Sequence, residues 1–341
     1  MRRTRINLMS RFHRTGHGWT ARDGLCSGVK SEPATKRRRS GFFLFGLVVL
    51  LGCGRQEPSV VLYAAQDRVF AEPVLREFRS SGGIEVRALY DSEATKTVGL
   101  ANRLIAESAR PQAEVWWSNE EMRTRQLVSR GILEGDWRTF GERRRVWVVR
   151  KGSTDWEGKS PMLSWLTNAE WKGRVAMAYP VFGSTTTHLL ALRERWGDAV
   201  WKNWCRALAE NRPLVVDGNS VVVRLVARGD AALGLTDSDD VAFSKREGLV
   251  VEAIPMVAGE GLVIPNTVAF VAGNHRSLAA SNLLAFLSGG AVRDRMIAAG
   301  ALDAVTNSTS SGDGLLTDLE WDRLLTEFDD SVAWLKEVFV R

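Results

Sequence analysis

Two short runs of this sequence carry side chains suited to holding a ligand. Thr236-Asp237-Ser238-Asp239-Asp240 sets three carboxylates at the end of the apolar run Ala231–Leu235. Carboxylates are hard oxygen donors, and hard cations prefer them. Asp239 and Asp240 also stand where they would simply cap a helix running into Val241–Arg246, and for them that role weighs as much as ligation. Gly183-Ser184-Thr185-Thr186 lies between a strand-like run, Arg174–Tyr179, and a helical one. Free backbone N–H groups and hydroxyls at a helix N-terminus bind anions, although a plain Ser/Thr cap has the same composition.

Nucleophilic catalysis has little support. The histidines are His13, His17, His188 and His275. His188 falls four residues after Ser184, about one helical turn, which leaves a secreted hydrolase as a minor alternative. No acid can be named to orient that histidine, and no G-x-S-x-G elbow occurs. The three cysteines are Cys26, Cys53 and Cys205. Cys205 sits in a helical-looking segment, Trp201–Leu208, and reads as a buried structural thiol.

Charge is distributed unevenly. Of 46 Lys/Arg and 40 Asp/Glu, 11 and 2 fall in residues 1–52, leaving a body with 35 basic against 38 acidic residues. That body has no electrostatic footprint for nucleic acid. Arg37-Arg38-Arg39 precede an apolar run, Gly41–Leu51, that ends in Leu50-Leu51-Gly52-Cys53. The run is too short to span a bilayer and fits a signal-peptide core. Its end resembles a bacterial lipobox, which makes Cys53 the expected lipidation site and new N-terminus. The expected location is the cell envelope, on its periplasmic or extracellular face, with the chain anchored to the membrane by lipid. Removal of the leader would leave Cys205 without an internal disulfide partner.

The elements that must position these runs alternate. Strand patterns at Val60–Ala65, Ile84–Tyr90, Ala113–Ser118 and Val146–Arg150 are separated by helical periodicities, one of them with Phe70, Val74, Leu75 and Phe78 on one face. A second series follows, with strands at Arg174–Tyr179, Pro213–Asp217, Ala231–Thr236, Val250–Ile254 and Thr267–Ala272. From Ser277 the chain reads as mostly helical, closing with one amphipathic helix over Asp318–Phe339. This alternation predicts α/β layers around mainly parallel sheets.

Several segments, in order, resemble the periplasmic ferric-iron-binding branch of the type II extracellular solute-binding proteins of ABC transporters. They are Val61–Asp67, Ala113–Glu120, Trp171–Val175, Gly183–Thr185, Gly218–Arg224, Arg228–Leu235 and Ile264–Ala269. The resemblance implies a two-lobed α/β fold with two crossover strands, and a ligand bound in the cleft between the lobes. The implied organisation is a lipoprotein signal peptide over 1–52, a tether over 53–59, and the first part of lobe one over 60–148. Lobe two then covers 149–260, with the return to lobe one and the C-terminal helices over 261–341. The crossovers would fall near Val146–Arg150 and Ile254–Thr267.

By the same resemblance, Asp67, Asn119 and Glu120 would face the cleft from lobe one and Asp237, Asp239 and Asp240 from lobe two. Gly183, Ser184, Thr185 and Asn219 would hold phosphate or carbonate beside the metal. One departure stands out. Where iron-binding members place two adjacent tyrosines, this chain has the Asp-rich run, and its tyrosines are Tyr63, Tyr90 and Tyr179. The implied function is a binding lipoprotein rather than an enzyme. It would serve an ABC permease and bind iron(III), or another hard cation, with a synergistic anion. A polyamine or an organophosphonate is the alternative ligand.

Overall fold

The computed structural model describes residues 58–90, 98–153, 160–304, 315–317 and 319–340. The leader, Cys53 and the tether up to residue 57 lie outside the described residues, and Ser59, the last tether residue, already belongs to β1. The chain runs β1 (Ser59–Ala64), α1 (Arg68–Gly82), β2 (Glu85–Tyr90), α2 (Val98–Ala106), β3 (Val115–Ser118), α3 (Glu121–Ser129) and β4 (Arg138–Arg150). It continues β5 (Val175–Ala178), α4 (Gly183–Trp196), α5 (Asp198–Glu210), β6 (Leu214–Val216), α6 (Asn219–Arg228), β7 (Leu233–Asp237), α7 (Ser238–Arg246) and β8 (Val251–Pro255). It ends β9 (Val263–Phe270), α8 (Leu278–Leu287), α9 (Gly290–Ala298), α10 (Trp321–Thr326) and α11 (Phe328–Phe339).

The strands follow the order β2-β1-β3-β9-β4-β7-β5-β6, with β8 also on β4. In the first lobe β1 pairs in parallel with β2 and β3, and β9 closes antiparallel on β3. In the second lobe β5 pairs in parallel with β6 and β7. Strand β4 belongs to both lobes. Residues 138–144 pair with β9, and residues 145–150 pair with β7 and β8. Strand β4 is therefore one crossover, the chain crosses back between β8 and β9, and the two-lobed α/β architecture expected from sequence is the one observed.

Alternation along the parallel strands sends successive side chains to opposite faces. Trp116 and Trp117 are both fully buried, yet they join different apolar clusters, one on each face of the first sheet. Neither lines a cleft. Helix α1 buries Phe70, Val74, Leu75 and Phe78, the face its periodicity predicts, and stops at Gly83, whose φ of 62° is left-handed.

Three elements differ from expectation. Strand β4 begins eight residues before Val146, in a stretch whose arginines hide it from an apolar pattern. The return strand is β9, Val263–Phe270, shifted toward the N-terminus of its predicted range. The closing helix is broken at Glu327, where the chain turns and Phe328 packs beneath the guanidinium of Arg123, 4.5 Å from its ring centre.

Packing is tight where α6 crosses β7. A Cβ on Gly234 would stand 2.5 Å from Val222 Cγ1 and 2.7 Å from Val148 Cγ1. Both neighbours are β-branched and stiff. Gly234→Ala should therefore destabilise the protein by about 1–3 kcal/mol, read as a lower denaturant midpoint with unchanged slope.

Candidate functional site

Backbone register brings the charged residues together. Arg145 on β4 lies opposite Asp237 at the end of β7. Arg143, two residues earlier on the same strand, points to the same face. Both guanidiniums and the Asp237 carboxylate are buried. Arg145 Nη1 donates to Asp237 Oδ1 at 2.5 Å, and Arg143 Nη1 lies 3.3 Å from Asp237 Oδ2. Arg143 also donates to Asp239 Oδ2 at 2.7 Å.

The N-termini of α4 and α6 meet at the same carboxylate. Ser184 Oγ donates to Asp237 Oδ2 at 2.6 Å, and Asn219 Nδ2 donates to the same oxygen at 2.9 Å. Arg145 Nη1 reaches Asn219 Oδ1 at 3.2 Å, and Asn219 Nδ2 donates to Ser184 Oγ at 3.1 Å. Both oxygens of Asp237 are thus occupied by donors from three elements. Burial opposes its ionisation, but Arg145 and Arg143 outweigh it and hold the carboxyl below its ordinary range.

Asp239 behaves oppositely. Burial is the largest influence on it, and the carboxylates of Asp237 and Asp67 add to burial against the pull of Arg143. Its carboxyl is pushed up to about 6. The carboxylate oxygens of Asp237, Asp239 and Asp240 lie within 4.8 Å of one another. Such crowding is tolerable because Arg143 stands among them. Burial works against the charge of that arginine, but Asp239, Asp237, Asp240 and Asp67 together raise its affinity for its proton.

In front of this network is a cleft with about 530 Å³ of empty space, counted out to its mouth. Asp67 and Asn119 face it from the loops after β1 and β3. Arg143, Phe182, Gly183, Ser184, Thr185, Asn219, Asp237 and Asp240 face it from the crossover and the second lobe, together with Asp217. Eight of the ten expected site residues of the body therefore line one cleft.

The other two stand behind it. Glu120 is buried and caps α3, accepting from the backbone N–H of Arg123 at 3.1 Å, while Thr187 Oγ1 reaches it from α4 at 3.4 Å. Asp239 is buried against Arg143. Sequence reasoning missed Arg143, Arg145, Asp217 and Phe182. The signal for the first two was the Arg143-Arg144-Arg145 run directly before an apolar strand, where alternation turns the outer two residues to one face.

The profile of the bacterial extracellular solute-binding protein family matches residues 60–301. The chain belongs to that family. Its members are binding components of ABC uptake transporters, working in the periplasm or outside the cell, and they are not enzymes. The solute-binding protein also shares its fold with iron-bound HitA from Pseudomonas aeruginosa, at 17% identity and a TM-score of 0.69, over 82% of this chain and 99% of that one. The ferric binding protein from Campylobacter jejuni matches at 16% identity and a TM-score of 0.70, over 82% and 99%. AfuA from Actinobacillus pleuropneumoniae, with fructose-6-phosphate bound, matches at 17% and 0.66, over 83% and 98%. One scaffold thus carries quite different ligands, so the solute has to be argued from the side chains of this cleft.

Two residues considered for other chemistry have structural roles. Cys205 is buried, and burial raises its thiol pKa, which keeps it from reacting as a thiolate. His188 Nε2 lies 2.6 Å from the carbonyl oxygen of Glu260, so the neutral ring donates there rather than to Ser184. Burial, reinforced by Arg145, depresses the His188 pKa from 6.5 to about 3. A histidine kept neutral in the fold binds fewer protons than its unfolded counterpart between those values. Stability is therefore complete above pH 6.5 and falls as pH drops toward 3. One pKa unit is worth about 1.4 kcal/mol, so the loss at pH 3 is on the order of 3–5 kcal/mol. His188→Gln keeps a donor for Glu260 without the titration. Its unfolding free energy should fall less steeply than that of the wild type between pH 6.5 and 4 in denaturant titrations.

Proposed function

We propose that this solute-binding protein captures a positively charged solute, a hard metal cation such as iron(III) in the first place. The observation that carries the reading is the charge of the cleft. Among the described residues lining it are four carboxylates, Asp67, Asp217, Asp237 and Asp240, against Arg143 on the lining and Arg145 behind it, an excess of two negative charges. Asp67 and Asn119 on one wall and Asp240 on the other supply the oxygen donors a hard cation prefers. Coordination from both walls would favour the closed arrangement of the lobes, because a ligand shifts such an equilibrium by its differential contacts.

None of the described residues lining the cleft is a tyrosine, so bound iron(III) should lack the visible band of iron–phenolate. Ferric citrate competition followed by tryptophan fluorescence should show saturable binding. Asp67→Asn and Asp240→Asn should each weaken it by about 10–100-fold, or about 1.4–2.7 kcal/mol. A wild type without affinity for any metal ends the metal reading.

A second reading, an organic cation such as a polyamine, draws on the same carboxylates and on Phe182, an aromatic residue of the cleft lining, since ring faces attract ammonium groups. Spermidine raising the melting temperature where metals do not would select it. An organophosphonate fits less well, since Ser184 and Asn219 already donate to Asp237.

The lipobox supports anchoring through a diacylated Cys53 beside a partner permease. Cys53→Ser should abolish incorporation of labelled palmitate and release the protein from membranes on lysis. A variant that stays bound, with an unlabelled wild type, defeats the anchor.

A further inference from the structure

We infer that Asp237 is an internal plug: its carboxylate fills an oxyanion site of the protein itself, so that no soluble anion occupies it. Ser184 is the second residue of the 14-residue α4, and Asn219 is the first residue of the 10-residue α6. The two N-termini converge on one point, and helix N-termini favour negative charge. A hydroxyl, an amide and two guanidiniums meet there, the set of donors that recognises a carboxylate or phosphate. What they hold is Asp237, through both oxygens.

The donors exceed what one carboxylate can accept. Arg145 Nε and Nη2 and Thr185 Oγ1 are buried and have no hydrogen-bond partner among the described residues. A site with this surplus has the capacity for a second class of occupant, a free oxyanion with more oxygens than a carboxylate. What keeps such an ion out is the aspartate already tethered there, with an effective concentration that a solute does not match. The inference deepens the cation reading and rests on it in one respect. A receptor that carries its own anion takes up a cation without a co-bound phosphate or carbonate.

The test uses purified protein in metal-free buffer with formate and inorganic phosphate as probes. Asp237→Ala removes the plug and leaves Arg143 and Arg145 short of a counter-charge. Its melting temperature should fall below that of the wild type and recover saturably as formate or phosphate is added. Asp237→Asn keeps the space filled and should not recover. The wild type should show no saturable response to either anion, by melting temperature or by broadening of the phosphate ³¹P line. A folded Asp237→Ala protein that responds to neither anion overturns the proposal. So does a wild type that binds phosphate saturably and loses that binding in Ser184→Ala. Should Asp237→Ala fail to fold, the wild-type titration decides alone. Metal is absent throughout, so failure here leaves the ferric titration standing, and failure of that titration leaves the plug standing.

Discussion

Everything at the centre of this molecule depends on the ion pair between Arg145 and Asp237. Both side chains are fully buried. A buried charge is costly unless it is paired and hydrogen-bonded, and removing one partner of such a pair costs about 3–5 kcal/mol. The pair therefore constrains what surrounds it. It fixes the register of β4 on β7, and through Ser184 and Asn219 it draws the N-termini of α4 and α6 to one point. The floor of the cleft is held by this network rather than by apolar packing alone.

The arginines reach that floor because β4 is shared by the two lobes. Arg143 lies on the half of β4 that pairs with β9, and Arg145 on the half that pairs with β7. Charge is thereby coupled across the crossover. Asp67, from the first lobe, contributes to holding the Asp239 carboxyl near 6, behind burial and Asp237. A cation entering between Asp67 and Asp240 would offset that repulsion and favour ionised Asp239. The same electrostatics that crowd the cleft would thus reward a bound cation, and its binding would then couple to lobe closure.

The layered fold was legible because most strands are short apolar runs and most helices show one apolar face. The pieces sequence missed are those where tertiary pairing overrides local pattern. Arg138–Arg144 is a strand because β9 supplies its ladder, and Arg143 and Arg145 are tolerated inside because buried carboxylates neutralise them. No window of residues contains that information. The cleft was legible in its loops, since Asp67, Asn119, Ser184, Asn219 and Asp237 each end a strand or begin a helix. Which carboxylates face the cleft was not legible. Asp239 and Asp240 are adjacent in sequence, yet one pairs inward with Arg143 and the other lines the cleft, a choice made by the first turn of α7 against β4.

The broken C-terminal helix bears on how freely the lobes can move. Its two pieces rest on α4 and α5 of the second lobe and also touch α3 of the first. Arg193 of α4 reaches Glu327 and Ser331, while Arg123 and Arg125 of α3 lie over Phe328 and Trp321. Among the described residues, the direct ion pair that joins these helices to the first lobe is Arg130 with Asp329, and it is exposed. Exposed pairs contribute about 0–1 kcal/mol and re-form readily. Guanidinium over ring is likewise tolerant of sliding, since its attraction depends on the face of the ring more than on one hydrogen-bond direction. The helical pair can therefore stay attached to both lobes while they shift, whereas the Arg145–Asp237 centre, fully buried and bonded from three sides, cannot. Asp67 and Asn119 stand on the other lobe from that centre, so any such shift would change their distance from it.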